Sequence, residues 1–264
     1  MPKKSGSKNE SRLIYIPFIA LALVIILFVA LSMRPSDVSQ QTQSAFTNLV
    51  KVSSTDYASS GKVEVYFVSW YGCPYGATLS WPLYVSLEHY GVVGVTPHTS
   101  LTEPGLSSYP IPGLIFQNFT PSSNLDFHFY YIYNQYLNET VSGQPLDGKG
   151  VQLGLQELSQ EAPNWLVNLI SEYQLNRTLV ALPNGSQAPI AFASETPHLV
   201  TTLVITGPGG TWILLGYPSS FTPQDAVSIS TDPSVILSEI NSGTVPSQIQ
   251  VTAQQLLQVI QQAS

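Results

Sequence analysis

The fold is decided by the stretch VEVYFVSWYGCPYG at residues 63–76, which predicts a strand that runs straight into a tight turn. Val63–Val68 is short, β-branched and aromatic, as is typical of a buried strand. A helical pattern, Ala77–His89, follows directly, so the only cysteine of the chain, Cys73, falls at the joint between strand and helix. The free N–H groups and the dipole of a helix N-terminus favour a thiolate at such a position.

The composition indicates a folded domain with very few charges. Of the 264 residues 44% are hydrophobic and only 9% are charged, and the net charge is −7. Soluble domains ordinarily carry roughly 25% charged residues. A shortage this deep favours a surface adapted to strong acid over compositional drift, because a surface rich in Lys and Arg would there carry a large unbalanced positive charge. Binding of nucleic acid is disfavoured because bases are rare beyond Arg34: Lys51, Lys62, Lys149 and Arg177.

The N-terminal region predicts a membrane anchor. Residues 1–12 form a polar, basic tail, and Leu13–Leu31 contains no charged residue, which is long enough to cross a bilayer. We therefore predict a transmembrane helix over residues 13–33, in a single-pass protein of the cell membrane. The basic flank places the N-terminus in the cytoplasm and the rest outside. A cleaved signal peptide is the alternative, which the length of the apolar run and the lack of an obvious cleavage site disfavour.

Beyond the anchor, the sequence predicts a tether followed by an extracellular domain. Residues 34–60 are rich in Ser, Gln and Thr and are predicted to form the tether, with one short helix at Gln43–Lys51. The domain is predicted over residues 61–264. With one cysteine it can form no internal disulfide, and it lacks methionine, which suits an oxidising exterior. Four N-x-Ser/Thr sequons favour a glycosylated surface: Asn118, Asn138, Asn176 and Asn184.

Further elements are predicted from apolar periodicity and turn residues. Gly113–Thr120 and the aromatic run Leu125–Tyr136 are predicted to form a hairpin. Aromatic packing between its strands explains that run better than a ligand-stacking surface. The remaining predicted elements are a strand Val92–Val95, a helix Gln152–Asn176 broken around Pro163, short strands Thr178–Leu182 and Pro189–Ala193, a hairpin of Leu199–Thr206 with Thr211–Tyr217, a helix from the N-cap Asp232 to Asn241, and a helix Ser247–Gln262.

The chain resembles the thioredoxin superfamily over roughly Lys62–Asn241 in the order of its predicted elements. This order is a strand, a turn with the pattern Trp-x-x-Cys-Pro-Tyr, a helix, an insert, a Thr-Pro pair, two strands and a helix. Cys73-Pro74-Tyr75 resembles the start of the Cys-Pro-Tyr-Cys motif of glutaredoxins, and Gln152–Asn176 lies where oxidase-type relatives carry a helical insert. In detail the chain is most similar to membrane-anchored, thioredoxin-like proteins of unknown function from thermoacidophilic archaea. The resemblance implies an α/β thioredoxin-like domain with an inserted aromatic hairpin and helical segment. It also implies a site made of Cys73 as nucleophile, Pro74, Tyr75, the aromatic Trp70, and a cis-proline motif Thr196-Pro197.

One departure from that family limits the chemistry. Gly76 stands where a dithiol enzyme has its second cysteine, and no other cysteine exists to resolve a mixed disulfide. Dithiol exchange by this chain alone is therefore excluded. The open alternatives are a monothiol oxidoreductase, which uses a small thiol or a cysteine of a partner protein at Cys73, and a catalytically inert binding or envelope-structural module. In strong acid even a depressed thiol would be mostly protonated, and Cys73 would then serve as a small apolar residue.

No cofactor is predicted. The resemblance implies that the Thr-Pro motif lies beside the cysteine. His198 directly follows that motif, so Cys73 and His198 would form a pair of ligands for a soft metal. Two protein ligands are too few for a structural metal site. The other histidines, His89, His98 and His128, show no ligand spacing. No Ser-His-Asp motif, phosphate loop or carboxylate pair stands out in the sequence.

Overall fold

The computed structural model describes residues 44–103 and 105–264. The strands are β1 (Val50–Ser53), β2 (Val63–Ser69), β3 (Gly91–Thr99), β4 (Pro112–Pro121), β5 (Leu125–Tyr131), β6 (Leu179–Ala181), β7 (Gln187–Pro189), β8 (Thr202–Gly207) and β9 (Gly210–Leu215). The α-helices are α1 (Pro74–Leu87), α2 (Gly150–Leu158), α3 (Asn164–Glu172), α4 (Pro223–Ile229), α5 (Pro233–Asn241) and α6 (Ser247–Ala263).

A mixed five-stranded sheet with the order β1-β9-β8-β2-β5 forms the centre of the fold. β2 runs parallel to β5 and antiparallel to β8, and β9 is antiparallel to both β8 and β1. Every residue of β2 is buried, which confirms the predicted buried strand. The prediction of an α/β fold is confirmed at the level of a mixed sheet with several helices.

Each face of the sheet is covered by its own apolar core. Val65 and Phe67 of β2 point into one core, which includes residues of α1 and α6. Tyr66 and Val68 point into the other, which includes residues of α2 and α3. The period-2 alternation of a strand thus serves two cores, and this is why the whole run 63–69 is apolar or buried.

The predicted aromatic hairpin is wrong. β4 pairs antiparallel with β3 in a separate two-stranded sheet, whereas β5 pairs parallel with β2, with Phe67 opposite Phe129. Leu125 and Phe127 of β5 are buried in the core beneath α1, and a free-standing two-stranded ribbon could not bury them as well. The turn after Pro121 therefore carries the chain from one sheet to the other.

The predicted tether is wrong for the part that the structure describes. Val50–Ser53 is a strand paired with β9, so the short helix at Gln43–Lys51 does not form there. Ala45 is buried, and Phe46 forms a β-bridge with Leu215. The compact unit accordingly begins at Ser44 and not at residue 61.

The helical segment predicted at Gln152–Asn176 is confirmed, with its break at Pro163. α2 ends at Leu158, Pro163 is the N-cap of α3, and a π-helical turn, Tyr173–Arg177, closes the segment. The break follows from the ring of proline, which lacks an N–H and cannot continue a helix.

Most predictions for the C-terminal part are also confirmed. β8 and β9 form the predicted hairpin, and Asp232 caps α5 by accepting a hydrogen bond from Ser234 N. One prediction fails, because Ile190–Phe192 is a 3-10 turn and not part of a strand, and α4 is a helix that the sequence does not predict.

The predicted transmembrane helix, residues 13–33, lies outside the described residues. Among the described residues, no helix combines the length and apolar character needed to span a membrane.

Candidate functional site

Cys73 lies at the end of the turn that joins β2 to α1. It is the N-cap of α1, with extended backbone angles (φ −68°, ψ 120°), and Pro74 occupies the first turn of the helix. The predicted position of the cysteine at a helix N-terminus is therefore confirmed. Its side chain is only 3% exposed, which the motif did not predict.

One hydroxyl group contacts the thiol of Cys73, and a second hydroxyl contacts the first. Its Sγ lies 3.0 Å from Thr201 Oγ1, and that oxygen lies 2.8 Å from Ser69 Oγ. Ser69 ends β2, and Thr201 directly precedes β8, the neighbouring strand. Adjacent strands thus bring together residues 132 positions apart in sequence, and a thiol–hydroxyl–hydroxyl chain results.

Gly76 faces the same hydroxyl pair. A Cβ atom added at Gly76 would overlap Ser69 Oγ and would lie 3.1 Å from Thr201 Oγ1. Ser69 therefore fills the space that a side chain at position 76 would need. Position 76, where a Cys-Pro-Tyr-Cys motif has its second cysteine, is here packed against a serine.

Burial raises the pKa of the Cys73 thiol above its ordinary value, and the nearby carboxylate of Glu103 raises it further. The hydrogen bond with Thr201 and the backbone N–H groups of Gly76 and Tyr75 act in the opposite direction but do not outweigh burial. Burial therefore opposes the expected stabilisation of the thiolate. The helix N-terminus is present, but desolvation dominates.

The predicted cis-proline motif is also wrong. No peptide bond between described residues is cis, so Thr196-Pro197 does not have that geometry. Thr201, five residues after Thr196, is the residue that contacts Cys73. The reason is the position at which β8 begins. The residue directly before that strand faces the thiol, and this residue is Thr201.

Trp70 and His198 pack together beside Cys73. Their rings meet edge to face, with centroids 5.7 Å apart. Trp70 is 5% exposed, and no described group accepts a hydrogen bond from its Nε1–H. His198 Nδ1 donates to the carbonyl oxygen of Thr196 at 2.7 Å, which leaves Nε2 as an acceptor. Burial lowers the pKa of His198, and the hydrogen bond to the Thr196 carbonyl opposes this shift without outweighing it.

Two adjoining cavities open next to this group, and together we call them the Cys73 cleft. The first has a volume of about 270 Å³ and is lined in part by Cys73, Tyr75 and Phe46. The second has a volume of about 470 Å³ and extends to Leu101 and Tyr136. The residues that line both cavities are Trp70, Pro74, Glu103, Ala193, Ser194 and His198.

Sequence reasoning found Cys73, Pro74, Tyr75, Trp70 and His198 but missed three residues of the site. Ser69 and Thr201 act through contacts across the sheet, for which the sequence carries no local signal. Glu103 lies in a Pro/Gly/Ser loop, where an isolated carboxylate belongs to no recognisable sequence motif. Cys73 and His198 line one cavity, but no described group of three His, Cys, Asp or Glu side chains could hold a metal ion.

The four sequon asparagines are all exposed in the structure: Asn118, Asn138, Asn176 and Asn184. Asn118 lies on β4, and Asn176 follows α3 within the π-helical turn. Exposure is a requirement for a modified asparagine, and glycosylation itself stays a prediction.

A βαβ unit, an antiparallel hairpin and a lone buried thiol at a helix N-terminus define an α/β protein with a single-cysteine cleft. The chain belongs to the family described as "Domain of unknown function (DUF929)", whose model matches residues 48–262. No curated protein and no solved structure matches the chain significantly.

Proposed function

We propose that this chain is a membrane-anchored, extracytoplasmic thioredoxin-like module that binds a ligand in the Cys73 cleft and does not carry out disulfide exchange. The observation that carries the proposal is the environment of the thiol. Cys73 is buried against Thr201, and Ser69 fills the space of a second thiol. Such a site offers a cleft for a ligand but lacks the pair of thiols that dithiol exchange requires.

The strand order supports the thioredoxin-like part of the proposal. β2 and β5 are parallel and are connected through α1, while β8 and β9 form an antiparallel hairpin on the other side of β2. α6 follows that hairpin in the chain and packs against α1. The superfamily has this βαβ–ββα order, and it too places the cysteine at the start of the first helix.

The outer location is supported by the sequence and by the surface. The basic tail and the uncharged run Leu13–Leu31 are suited to anchoring. The exposed sequons and the shortage of charges are suited to a glycosylated surface in acid.

Monothiol exchange is the second candidate, and the N-cap position of Cys73 favours it. The N–H groups of Tyr75 and Gly76 point toward Sγ, and the thiol lines an open cavity. In that reaction the Cys73 thiolate would attack a disulfide, form a mixed disulfide and release one thiolate. An external thiol would then attack the mixed disulfide and regenerate Cys73.

The pH dependence of alkylation separates the two functions. The rate of Cys73 alkylation by iodoacetamide would be measured against pH beside an unfolded peptide containing Gly-Cys-Pro-Tyr. Because burial raises the thiol pKa, we expect the protein to react more slowly and its profile to lie at higher pH. Thr201→Val, which keeps the shape but removes the hydroxyl, should move the profile higher still.

A profile at lower pH than that of the peptide would contradict the binding module. Rapid formation of a mixed disulfide with oxidised glutathione, reversed by reduced glutathione, would establish the monothiol function instead.

A further inference from the structure

β5 forms one edge of the five-stranded sheet, and no described strand pairs with its outer side. Just past the end of β5, Ile132 N donates a hydrogen bond to Ser69 O of β2. Backbone groups alternate in direction along a strand, so the even-numbered residues of β5 face β2, and Phe127, Phe129 and Tyr131 turn their N–H and C=O groups outward. Among the described residues, no group forms a hydrogen bond with these outward backbone groups.

The two edges of the sheet differ in how they are protected against pairing. β1, at the opposite edge, is four residues long, contains Lys51 and has a bulge between Lys51 and Ser53. β5 is seven residues long, contains neither Lys nor Pro, and keeps a continuous register with β2. Short length, lysine, proline and bulges are the features by which folded proteins keep an exposed edge from pairing. β5 is therefore the edge that is suited to receive another strand.

The charges at the two ends of β5 are complementary. A cavity of about 250 Å³ is lined by residues 129–132 of β5 and its continuation and by the carboxylates Glu157 and Glu161, and it has no base in its wall. At the start of β5, Lys62 binds Asp126, and the Lys62 side chain remains 44% exposed. An antiparallel copy of β5 places the start of one strand beside the end of the other. The ammonium group of each copy is thereby brought toward the two carboxylates of the other.

Two polar side chains of β5 lie free on the same face of the strand, two residues apart. Neither the imidazole of His128 nor the hydroxyl of Tyr130 has a hydrogen-bond partner among the described residues, and both can be reached from solvent, since Trp70 Nε1 is the buried unpaired side-chain atom of this part of the chain. In an antiparallel pair centred on Phe129, His128 of each copy lies opposite Tyr130 of the other. These are non-hydrogen-bonded positions, at which opposing side chains lie closest.

We propose that two copies of this chain pair antiparallel through β5, with Phe129 at the two-fold axis, and join their sheets into one. The outward backbone groups then bond across the axis, His128 donates to Tyr130 of the other copy, and Lys62 lies near the opposing carboxylates. A second copy fits better than an unrelated strand because a single register satisfies all three sets of groups, each of them twice.

This pairing is independent of the Cys73 cleft and goes beyond the proposed function. Hydrogen bonds between backbone groups need no ionised carboxylate, so the interface is also suited to the acidic exterior proposed above. Two-fold pairing uses the same surface on both copies, and it therefore closes at a dimer.

The first test measures self-association of the full chain, purified in detergent, by sedimentation equilibrium at neutral pH. We expect a reversible dimer. Tyr130→Phe removes the hydroxyl that His128 meets, and Glu161→Lys places like charges opposite each other, so each should raise the dimer Kd about tenfold. Tyr109→Phe and Glu239→Lys, at exposed positions outside β5, are the matched controls and should leave it unchanged.

The second test determines the register with two single-cysteine chains, His128→Cys and Tyr130→Cys, each combined with Cys73→Ala. Oxidised glutathione serves as the oxidant and leaves as two reduced glutathione thiols for each disulfide formed between chains. Position 128 of one copy lies directly opposite position 130 of the other, so the mixture of the two chains should cross-link at least about threefold more than either chain alone.

A full chain that stays monomeric over the whole concentration range would overturn the proposed dimer. A dimer that neither Tyr130→Phe nor Glu161→Lys weakens would also overturn it, because association would then occur through another surface, such as the predicted anchor. Equal cross-linking of the mixture and of the separate chains would contradict the register centred on Phe129.

Discussion

Three side-chain positions around one thiol set the chemistry of this site. Thr201 holds Sγ of Cys73, Ser69 hydrogen-bonds to Thr201, and Gly76 leaves room for that pair. The glycine and the serine are complementary because a larger residue at position 76 would need the volume of the serine hydroxyl. The absence of a second thiol is therefore built into the packing of two neighbouring strands and one helix.

A cysteine introduced at position 76 should be poorly accommodated unless Ser69 is changed as well. Gly76→Cys overpacks the site, and we expect it to lower the free energy of unfolding of the reduced protein by about 1–3 kcal/mol. Adding Ser69→Ala removes the overlapping oxygen and should recover most of this loss. With oxidised glutathione as the oxidant, which leaves as two reduced glutathione thiols, the double variant should form a disulfide between Cys73 and the introduced thiol, seen as a loss of two hydrogens by mass spectrometry. Chemical denaturation measures the stabilities, with Ser69→Ala alone as the control.

An undiminished stability of Gly76→Cys would show that Ser69 does not fill the space at position 76.

The residue scale also marks where sequence reasoning stops. It placed Cys73 at the helix N-terminus and identified Gly76 as the departure from a dithiol motif. It assigned the contact opposite the thiol to Pro197, however, because a Thr-Pro pair is visible in the sequence and the contact of Thr201 across the sheet is not.

At the scale of elements, the sequence predicted strands and helices better than their partners. The sequence predicts β5 as an aromatic strand and pairs it with β4, its nearest neighbour in sequence, whereas in the structure β5 pairs with β2. Short turns favour hairpins, yet burial of Leu125 and Phe127 beneath α1 favours pairing with β2. The choice depends on which pairing covers the larger apolar surface, and only the assembled core decides that. β1 was missed for a related reason, since a four-residue edge strand has too little periodicity to identify.

Removal of β1 should destabilise the domain. A chain that begins at residue 61 loses the pairing of β1 with β9 and the packing of Ala45 and Phe46. We expect a loss of about 3–6 kcal/mol from partial burial of several apolar side chains, and a melting temperature lower by about 10 °C or more. The exposed edge of β9 should also promote aggregation. A chain that begins at Ser44 is the control, and equal melting of the two chains would show that residues 44–60 are a tether after all.

At the scale of the whole domain that the structure describes, residues 44–103 and 105–264, apolar packing and hydroxyl hydrogen bonds are far more numerous than ion pairs. The described residues contain two salt bridges, Lys62–Asp126 and Arg177–Glu172. Exposed pairs of this kind contribute little to stability. Protonation of surface carboxylates therefore removes few attractive contacts, and the scarcity of Lys and Arg limits the positive charge that acid would leave behind. The folded domain is in this respect suited to the acidic exterior that the composition predicts.

The proposed location makes a prediction that involves the anchor and the surface together. In cells of the source organism, the full chain should sediment with membranes, and deletion of residues 13–33 should abolish this association, because no helix of the described domain could replace the anchor. If the domain faces outward, chemical deglycosylation should lower its mass, and Asn184→Gln should lose one glycan whereas Ser186→Thr, which preserves the sequon, should not. External protease should also degrade the domain in intact cells. A protected domain of unmodified mass would place it on the cytoplasmic side, where the reduced state of Cys73 would follow from the compartment and not from its burial.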